Sequence, residues 1–433
     1  MEWYHVGVGI LALLMFFIAL GLPIPFALAA ASLPFLWAIQ DFQTSLISAE
    51  LKLWGVWVDY ILLAVPLFVF LGELIARSNI GPNLYRFMHQ GVRLHGSAAY
   101  GSIGACAGFG AVCGSSMVGS LTIGGVALPE MLKLGYGKRL SSGVLAAGGT
   151  LSVLIPPSLI LLFYGIVCDV SIGELFIAGA VPGLILTTLF VVVVAVWGRT
   201  DRDAIPGRDE TSRMPIGQIL AAVLPIVAIG FVITAAIYAG IATPTEAAAL
   251  AAFLTVILAF SVGGLTWAGF FDALKATLRT MGYLGLLLSA GVLFGFVLTY
   301  HQVPQQFTEA FLALELSPFM VLAMAIGFYL IVGMFLEPVS MTFITLPTIF
   351  PLIQLAGYDL IWFGVVYTIT MEIAVLTPPV GLNLYVIQGL APRDVQINDV
   401  IMGTLPFIGA LALLIVLMLM VPELALWLPN AMK

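Results

Sequence analysis

The sequence has 433 residues, of which 61% are hydrophobic and 9% are charged, and its mean hydropathy is +1.14. A soluble globular protein typically carries about 25% charged residues, so this composition excludes a soluble enzyme with a large core. The net charge of −7 and the lack of a basic patch exclude nucleic-acid binding.

Apolar segments long enough to cross a bilayer recur along the whole chain. A transmembrane helix needs about 20 mainly apolar residues. No Lys or Arg precedes the first such segment, which favours a retained span over a cleaved secretory signal. In chain order, ten spans are predicted near residues 4–21, 22–40, 58–77, 138–168, 172–197, 216–239, 242–263, 276–300, 359–389 and 399–427.

Two further apolar stretches, 97–135 and 318–357, are long for one span and short for two spans with a turn. The first is interrupted at Gly114-Ser115-Ser116 and the second at Glu337-Pro338. We therefore predict two re-entrant hairpins, each made of two half-depth helices that meet at a non-helical tip. Such a tip is tolerated only where it is buried in protein or lines a wet cavity.

The distribution of basic residues predicts the topology. If spans alternate and each hairpin returns to the side it left, only Lys52 and Lys433 fall on the second side. By the positive-inside rule the first side is cytoplasmic, so both termini are predicted to be periplasmic. The first hairpin then enters from the cytoplasm and the second from outside. The cytoplasmic residues are Arg77, Arg86, Arg93, Lys133, Lys138, Arg139, Arg199, Arg202, Arg208, Arg213, Lys275, Arg279 and Arg393.

The two halves of the chain are related by an internal repeat with an offset of 222 residues. The first repeat spans 1–197, a polar cytoplasmic linker spans 198–215, and the second repeat spans 216–433. Five spans per repeat is an odd number, so the second repeat is inverted, as in many secondary transporters. The offset aligns Pro82 with Pro304, Pro129 with Pro351, Pro156-Pro157 with Pro378-Pro379, and Gly135-Tyr136 with Gly357-Tyr358.

The span after each hairpin is predicted to break at a proline pair. Each pair removes amide donors and should free carbonyls one turn earlier, around Ser152–Val153 and Ala374–Val375. Those carbonyls and nearby hydroxyls suit Na⁺, while the following half-helix N-termini suit a substrate carboxylate. One such pair alone is more often a kink, but two at equivalent positions favour a binding role. The hydroxyls proposed to contribute to Na⁺ binding are those of Ser115, Ser116, Thr150 and Thr377.

Three glutamates in apolar segments need separate interpretations. Glu337 and Glu372 would be costly in contact with lipid, so each is either a hydrogen-bonded structural carboxyl or an ion or proton site. Glu246 follows Pro244 and is expected to be a helix-start residue.

Four ordered motifs resemble the large membrane subunit of TRAP (tripartite ATP-independent periplasmic) transporters, and the likeness covers essentially the whole chain. The resemblance implies a mobile transport domain of hairpins and broken helices that moves by an elevator mechanism against a scaffold. It further implies sodium-driven import of an organic acid delivered by a periplasmic binding protein, in the bacterial inner membrane. A small four-helix membrane subunit is expected as a separate partner. The motifs are GSSMVGSLTIGGVALPEMLKLGY (114–136), GGTLSVLIPPS (148–158), GIATPTEAAA (240–249) and EIAVLTPPVGLNLYVI (372–387).

The resemblance also implies site residues. One sodium site would involve Gly114, Ser115, Ser116, Gly149 and Thr150, and its repeat-mate would involve Gly333, Glu337, Thr377 and Gly381. The substrate would lie between the two tips, near Ser115, Ser116, Ser158, Pro156, Pro157, Pro378, Pro379 and Asn383.

Three other functions remain open from the sequence. A stand-alone sodium- or proton-coupled carrier would share the architecture without needing a binding protein. An intramembrane enzyme is disfavoured because no HExxH, GxSxG or GxGD motif occurs, and a channel fits paired hairpins poorly. No GxxxxGK[ST] loop occurs, so an ion gradient is the expected energy source, with no cofactor and no transition metal.

Overall fold

The computed structural model describes residues 3–38, 42–91, 95–201, 203–206 and 216–432. Most of the predicted linker 198–215 lies outside the described residues, as do Arg93, Arg202, Arg208, Arg213 and Lys433 of the charge pattern. Every regular element in the described part of the chain is a helix.

In the described residues of its first half, the chain forms ten α-helices and one short 3-10 turn, Tyr60–Leu63. Prolines and polar caps set several of the helix starts. Pro23 precedes α2, and the Ser171 hydroxyl accepts a hydrogen bond from the Glu174 amide at the start of α10. The helices are α1 (Trp3–Ala19), α2 (Ile24–Trp37), α3 (Phe42–Trp57), α4 (Ala64–Ala76), α5 (Ile80–Gly91), α6 (Ser97–Cys113), α7 (Ser116–Lys133), α8 (Lys138–Leu154), α9 (Leu159–Cys168) and α10 (Ile172–Thr200).

The described part of the second half, residues 216–432, forms ten more helices, of which α13 is the longest with 34 residues. Thr243 and Glu246 form a reciprocal capping box at the start of α12, which confirms Glu246 as a helix-start residue. The helices are α11 (Ile216–Tyr238), α12 (Pro244–Ser261), α13 (Trp267–Tyr300), α14 (Val303–Leu312), α15 (Pro318–Gly333), α16 (Pro338–Leu355), α17 (Leu360–Val375), α18 (Leu382–Leu390), α19 (Ile397–Met420) and α20 (Glu423–Ala431).

The helix boundaries of the two halves follow the offset seen in the sequence. α7 begins at Ser116 and ends at Lys133, and α16 begins at Pro338 and ends at Leu355. Both differences, 338 − 116 and 355 − 133, equal 222. The same order of helices, namely a short helix, a helix pair and a broken span, occurs twice, as α5–α9 and as α14–α18.

Both predicted breaks occur at their proline pairs. α8 ends at Leu154 and α9 begins at Leu159, with the two axes bent by 42°. α17 ends at Val375 and α18 begins at Leu382. The Pro156-Pro157 and Pro378-Pro379 peptide bonds are both cis.

Some predicted spans differ from the observed helices. No span is predicted between residues 40 and 58, but this segment contains helix α3. The axis of α3 is bent by 54° relative to the following segment, Tyr60–Ala76, which includes α4. The last predicted span, 399–427, is divided at Pro422 into α19 and α20. By length and composition alone, five described helices could cross a membrane, or seven if each bent pair is one span. The count of ten spans stays a prediction.

Helix α8 of the first half packs closely on helix α19 of the second half. A methyl group added at Gly143 would lie 2.1 Å from the Gly403 carbonyl oxygen, so the two backbones touch. Small residues at such a crossing let membrane helices approach closely. At one end of the contact, the Lys138 Nζ lies 3.0 Å from an Asp394 carboxylate oxygen. This contact holds the first broken span, through α8, against α19 of the second half.

Candidate functional site at the helix breaks

The tip of the first hairpin packs directly on the first broken span. Gly114 has a positive φ of 69°, and a Cβ there would lie 2.7 Å from the Pro157 carbonyl oxygen. The Leu159 amide donates to the Gly114 carbonyl at 3.2 Å. Only glycine fits both the conformation and the close approach, which explains the Gly114 that interrupts the hairpin.

Next to this tip, hydroxyls and backbone oxygens crowd around a glycine of α8. A Cβ at Gly149 would lie 1.9 Å from the Ser120 Oγ and 2.7 Å from the Ser116 carbonyl oxygen. One turn further along α8, the buried Ser152 Oγ has no hydrogen-bond partner among the described residues. The predicted members Ser116 and Gly149 of the first sodium site are therefore in contact.

The hydroxyls predicted around the first tip differ in their availability. Ser115 is the N-cap of α7, yet its side chain makes no capping hydrogen bond. The Thr150 Oγ1 donates to the Ala147 carbonyl at 2.6 Å, and the buried Ser158 caps α9 by accepting from the Leu161 amide at 3.2 Å. The hydroxyl oxygens of Thr150 and Ser158 can each still coordinate a cation through a remaining lone pair. Ser115 is the least committed of the three.

The second hairpin tip is organised by Glu337. Its carboxylate caps α16, accepting from the Ser340 amide at 3.0 Å and from the Ser340 hydroxyl at 2.7 Å. From α13, the Tyr283 hydroxyl lies 3.4 Å from the same Ser340 hydroxyl. Glu337 therefore makes the hydrogen bonds expected of a structural carboxyl, and Tyr283 connects α13 with this tip.

The second tip also meets the second broken span. A Cβ at Gly333 would lie 2.7 Å from the Ala374 Cβ in the last turn of α17. The Thr377 Oγ1 donates to the Ile373 carbonyl at 2.7 Å, and Gly381 begins α18 with a φ of +55°. Within the described residues, no hydrogen bond or ion pair joins Glu337 to Thr377. The structure thus brings Gly333 to the break but leaves Glu337 in a separate capping network.

One prediction about the broken spans is wrong. The Ala374 carbonyl is not free, because the Thr377 amide donates to it at 3.0 Å and so tightens the end of α17. Pro379 is exposed in the turn that follows. Beyond the turn, Asn383 is buried, and its Nδ2 has no partner in the part of the chain that the structure describes. Asn383 is therefore a better candidate for ligand contact than the carbonyl of Ala374.

The sequence-based site omitted several polar groups that the fold brings to the breaks. Ser120 and Ser152 face glycines of neighbouring helices, and Tyr283 comes from a different predicted span. Glu372 is buried in the last turn of α17 with the Ser116 hydroxyl beside it. Of these groups, the sequence singled out only Glu372, as either a structural carboxyl or an ion or proton site, without assigning it to either predicted sodium site.

Comparison with known proteins gives a consistent result. Residues 11–424 match a family described as "Tripartite ATP-independent periplasmic transporter, DctM component". The C4-dicarboxylate TRAP transporter large permease protein of Vibrio cholerae serotype O1 is 30% identical, covering 95% of this chain and 94% of the relative. The isethionate TRAP transporter permease protein DctMQ of Oleidesulfovibrio alaskensis is also 30% identical, over 95% of this chain and 64% of the relative. The crystal structure of the Alcanivorax borkumensis YdaH transporter shares the fold, with a TM-score of 0.66, 12% identity and 90% coverage of both chains.

Proposed function

The chain belongs to the DctM component family of tripartite ATP-independent periplasmic transporters, and we propose that it imports an organic acid by sodium-coupled elevator transport. As a large permease of this family it is a transmembrane transporter and not an enzyme. The observation that carries the proposal is that both hairpin tips pack on helices broken at proline pairs, at positions 222 residues apart. Discontinuous helices of this kind form the ion and substrate sites of many secondary transporters.

The arrangement of the breaks supports the proposed elevator mechanism. We assign the two hairpins, α6–α7 and α15–α16, and the broken spans α8–α9 and α17–α18 to the moving transport domain. Because the α8 and α19 backbones touch at Gly143 and Gly403, we assign α19 to the transport domain as well, and the remaining helices form the scaffold. Two inverted repeats, 1–197 and 216–433, would then give the transport domain equivalent tips toward each side of the membrane. The doubled helix order and the proline alignment support this assignment.

Sodium is proposed to bind where each tip meets its broken span. At the first tip the site comprises Gly114, Ser115, Ser116, Gly149 and Thr150, and the contacts of Gly114 and Gly149 support it. At the second tip it comprises Gly333, Glu337, Thr377 and Gly381. Hydroxyl, carbonyl and carboxylate oxygens are ligands that hard cations prefer.

The substrate carboxylate is proposed to lie between the tips, near Ser115, Ser116, Ser158 and Asn383, with Pro156, Pro157, Pro378 and Pro379 shaping the breaks. The N-termini of α7 and α18 carry unpaired amides and partial positive charge, which favour an anion. Because the Vibrio relative is named as a C4-dicarboxylate transporter, a C4-dicarboxylate is the first substrate to test.

Large permeases of this family work with a small membrane subunit and a periplasmic binding protein. We propose that the small subunit is a separate polypeptide, although this chain spans only 64% of the DctMQ relative. The proposed location is the bacterial inner membrane with both termini in the periplasm, which the basic residues support.

Uptake into proteoliposomes tests the proposal. The permease is reconstituted with its small subunit, and its binding protein is added with the radiolabelled ligand that co-purifies with it. We expect Ser115→Ala and Thr377→Ala to lower sodium-driven uptake at least about tenfold, because each removes an oxygen from a break. Thr188→Ala is a matched control, because the exposed Thr188 Oγ1 makes a similar bond, to the Leu184 carbonyl at 2.9 Å.

Two outcomes would contradict the proposed function. Uptake that does not respond to a sodium gradient would remove the coupling. If the uptake by Ser115→Ala and by Thr377→Ala depends on sodium as it does in the parent protein, the proposed sodium sites are wrong. Uptake of the free ligand without any binding protein would instead favour a stand-alone carrier.

A further inference from the structure

Glu372 is a buried carboxyl group without a well-formed hydrogen bond or an ion pair among the described residues. Only 1% of the residue is exposed, in the last turn of α17. Neither carboxylate oxygen accepts a hydrogen bond from any described residue, and no described Lys, Arg or His forms an ion pair with it. Buried polar groups are almost always paired, so this exception needs an explanation.

The carboxyl group of Glu372 lies against the tip of the first hairpin. Its polar neighbour is the Ser116 side chain, which begins α7 and lies beside the carboxyl without forming a well-aligned hydrogen bond. The Ser116 backbone carbonyl in turn lies against Gly149 of α8. A group from the second half of the chain therefore reaches the proposed sodium site of the first half.

The local electrostatics call for a positive charge. Glu372 belongs to the C-terminal turn of α17, the end at which the helix dipole places partial negative charge. A carboxylate at this end of a helix is unfavourable. The partial positive charge at the N-terminus of α7 offsets part of this cost, but no described cationic side chain neutralises the buried carboxylate. A cation held by the carboxylate and the neighbouring hydroxyl would satisfy both the orphaned oxygens and the helix end.

We propose that Glu372 is an anionic ligand of the sodium ion at the tip of the first hairpin, together with Ser116. The proposal rests on the sodium-coupled function above and adds to it a charged ligand from the other repeat. This ligand gives a physical reason why closing of the first hairpin tip would depend on bound sodium. Without sodium, closing the tip of the first hairpin would bury a bare carboxylate, whereas with sodium the pair is neutral.

Direct binding of sodium to the purified permease tests this assignment. Radioactive sodium is titrated at constant ionic strength, with choline chloride as the replacement salt. We expect Glu372→Gln to weaken sodium binding roughly 10–100-fold, because it keeps the shape and removes the charge. Glu372→Asp keeps the charge with a shorter side chain, so we expect a smaller loss. Glu309→Gln, at an exposed position of α14, is the matched control and should bind sodium as the parent protein does.

The possible results are distinguishable. If folded Glu372→Gln binds sodium with the affinity of the parent protein, Glu372 is not a sodium ligand. The proposal of sodium-coupled transport would still stand. If Glu372→Gln does not fold, a sodium affinity in Glu372→Asp equal to that of the parent overturns it equally. A parent protein that binds no sodium would overturn both this assignment and the proposed coupling. An infrared band of a protonated carboxylic acid that persists in saturating sodium and is missing only in Glu372→Gln would identify a neutral structural acid and overturn the assignment.

Discussion

The contact between α8 and α19 offers a sharp test of the packing, through the substitution Gly403→Ala. A Cβ at Gly403 would lie 2.1 Å from the Arg139 carbonyl oxygen and 3.1 Å from the Gly143 Cα. Both obstacles are backbone atoms in helices, so no side-chain rotation can remove the clash. The new methyl group can be accommodated only if the helices separate.

The size of the effect follows from the distances. Ordinary van der Waals contact begins near 3.4 Å, and 3.4 − 2.1 gives a separation of about 1.3 Å at the crossing. Overpacking of this kind typically costs about 1–3 kcal/mol of folding free energy, and occasionally more. We expect the upper part of that range, because α8 and α19 carry the interface between the two halves.

Thermal unfolding of the detergent-purified protein, followed by size-exclusion chromatography with fluorescence detection, measures the effect. Gly403→Ala should lower the unfolding midpoint clearly. Gly409→Ala lies in the same helix with no atom within 4 Å of the new Cβ, so it should be neutral or slightly stabilising through helix propensity. Equal midpoints for Gly403→Ala and the parent protein would refute the close backbone contact.

Two further predictions concern the first tip and the ion pair beside the α8–α19 contact. Gly149→Ala should abolish sodium-driven uptake in a protein that still purifies as a single species, because its Cβ would lie 2.7 Å from the Ser116 carbonyl; Gly125→Ala, which has open space around it, should transport normally. A hydrogen bond from Lys138 and its positive charge lower the pKa of Asp394. This contribution is present above the ordinary pKa of about 3.9 and is lost as the pH falls further. The midpoint difference between the parent and Asp394→Asn should thus be constant from about pH 6 to 8 and vanish in acid, and a difference that grows in acid would contradict the ion pair.

The sequence predicted the features that rest on local chemistry. The breaks at Pro156-Pro157 and Pro378-Pro379 were predictable because proline removes an amide donor, and the tip at Gly114 because glycine interrupts an apolar run. Helix α3 was missed because its polar residues Glu50 and Lys52 hide its apolar face from a search for 20 apolar residues.

Contacts between distant segments could not be predicted in the same way. The approach of Glu372 to Ser116 depends on how the second half folds against the first, and no periodicity encodes it. The paired carbonyl of Ala374 was missed for a related reason. A proline pair shows which amides are lost but not which other amide bends back, here that of Thr377.

Helix α13 has a mechanical consequence for the whole protein. At 1.5 Å per residue its 34 residues extend about 51 Å, whereas the hydrocarbon layer is about 30 Å thick. The helix must therefore cross obliquely or project into water, and its first four turns carry Asp272, Lys275 and Arg279. It also packs on α2, α3, α4 and α16 and reaches the second tip through Tyr283. Because the contact of Tyr283 with the second tip lies near the middle of α13, a movement of that tip must either break this contact or displace the helix.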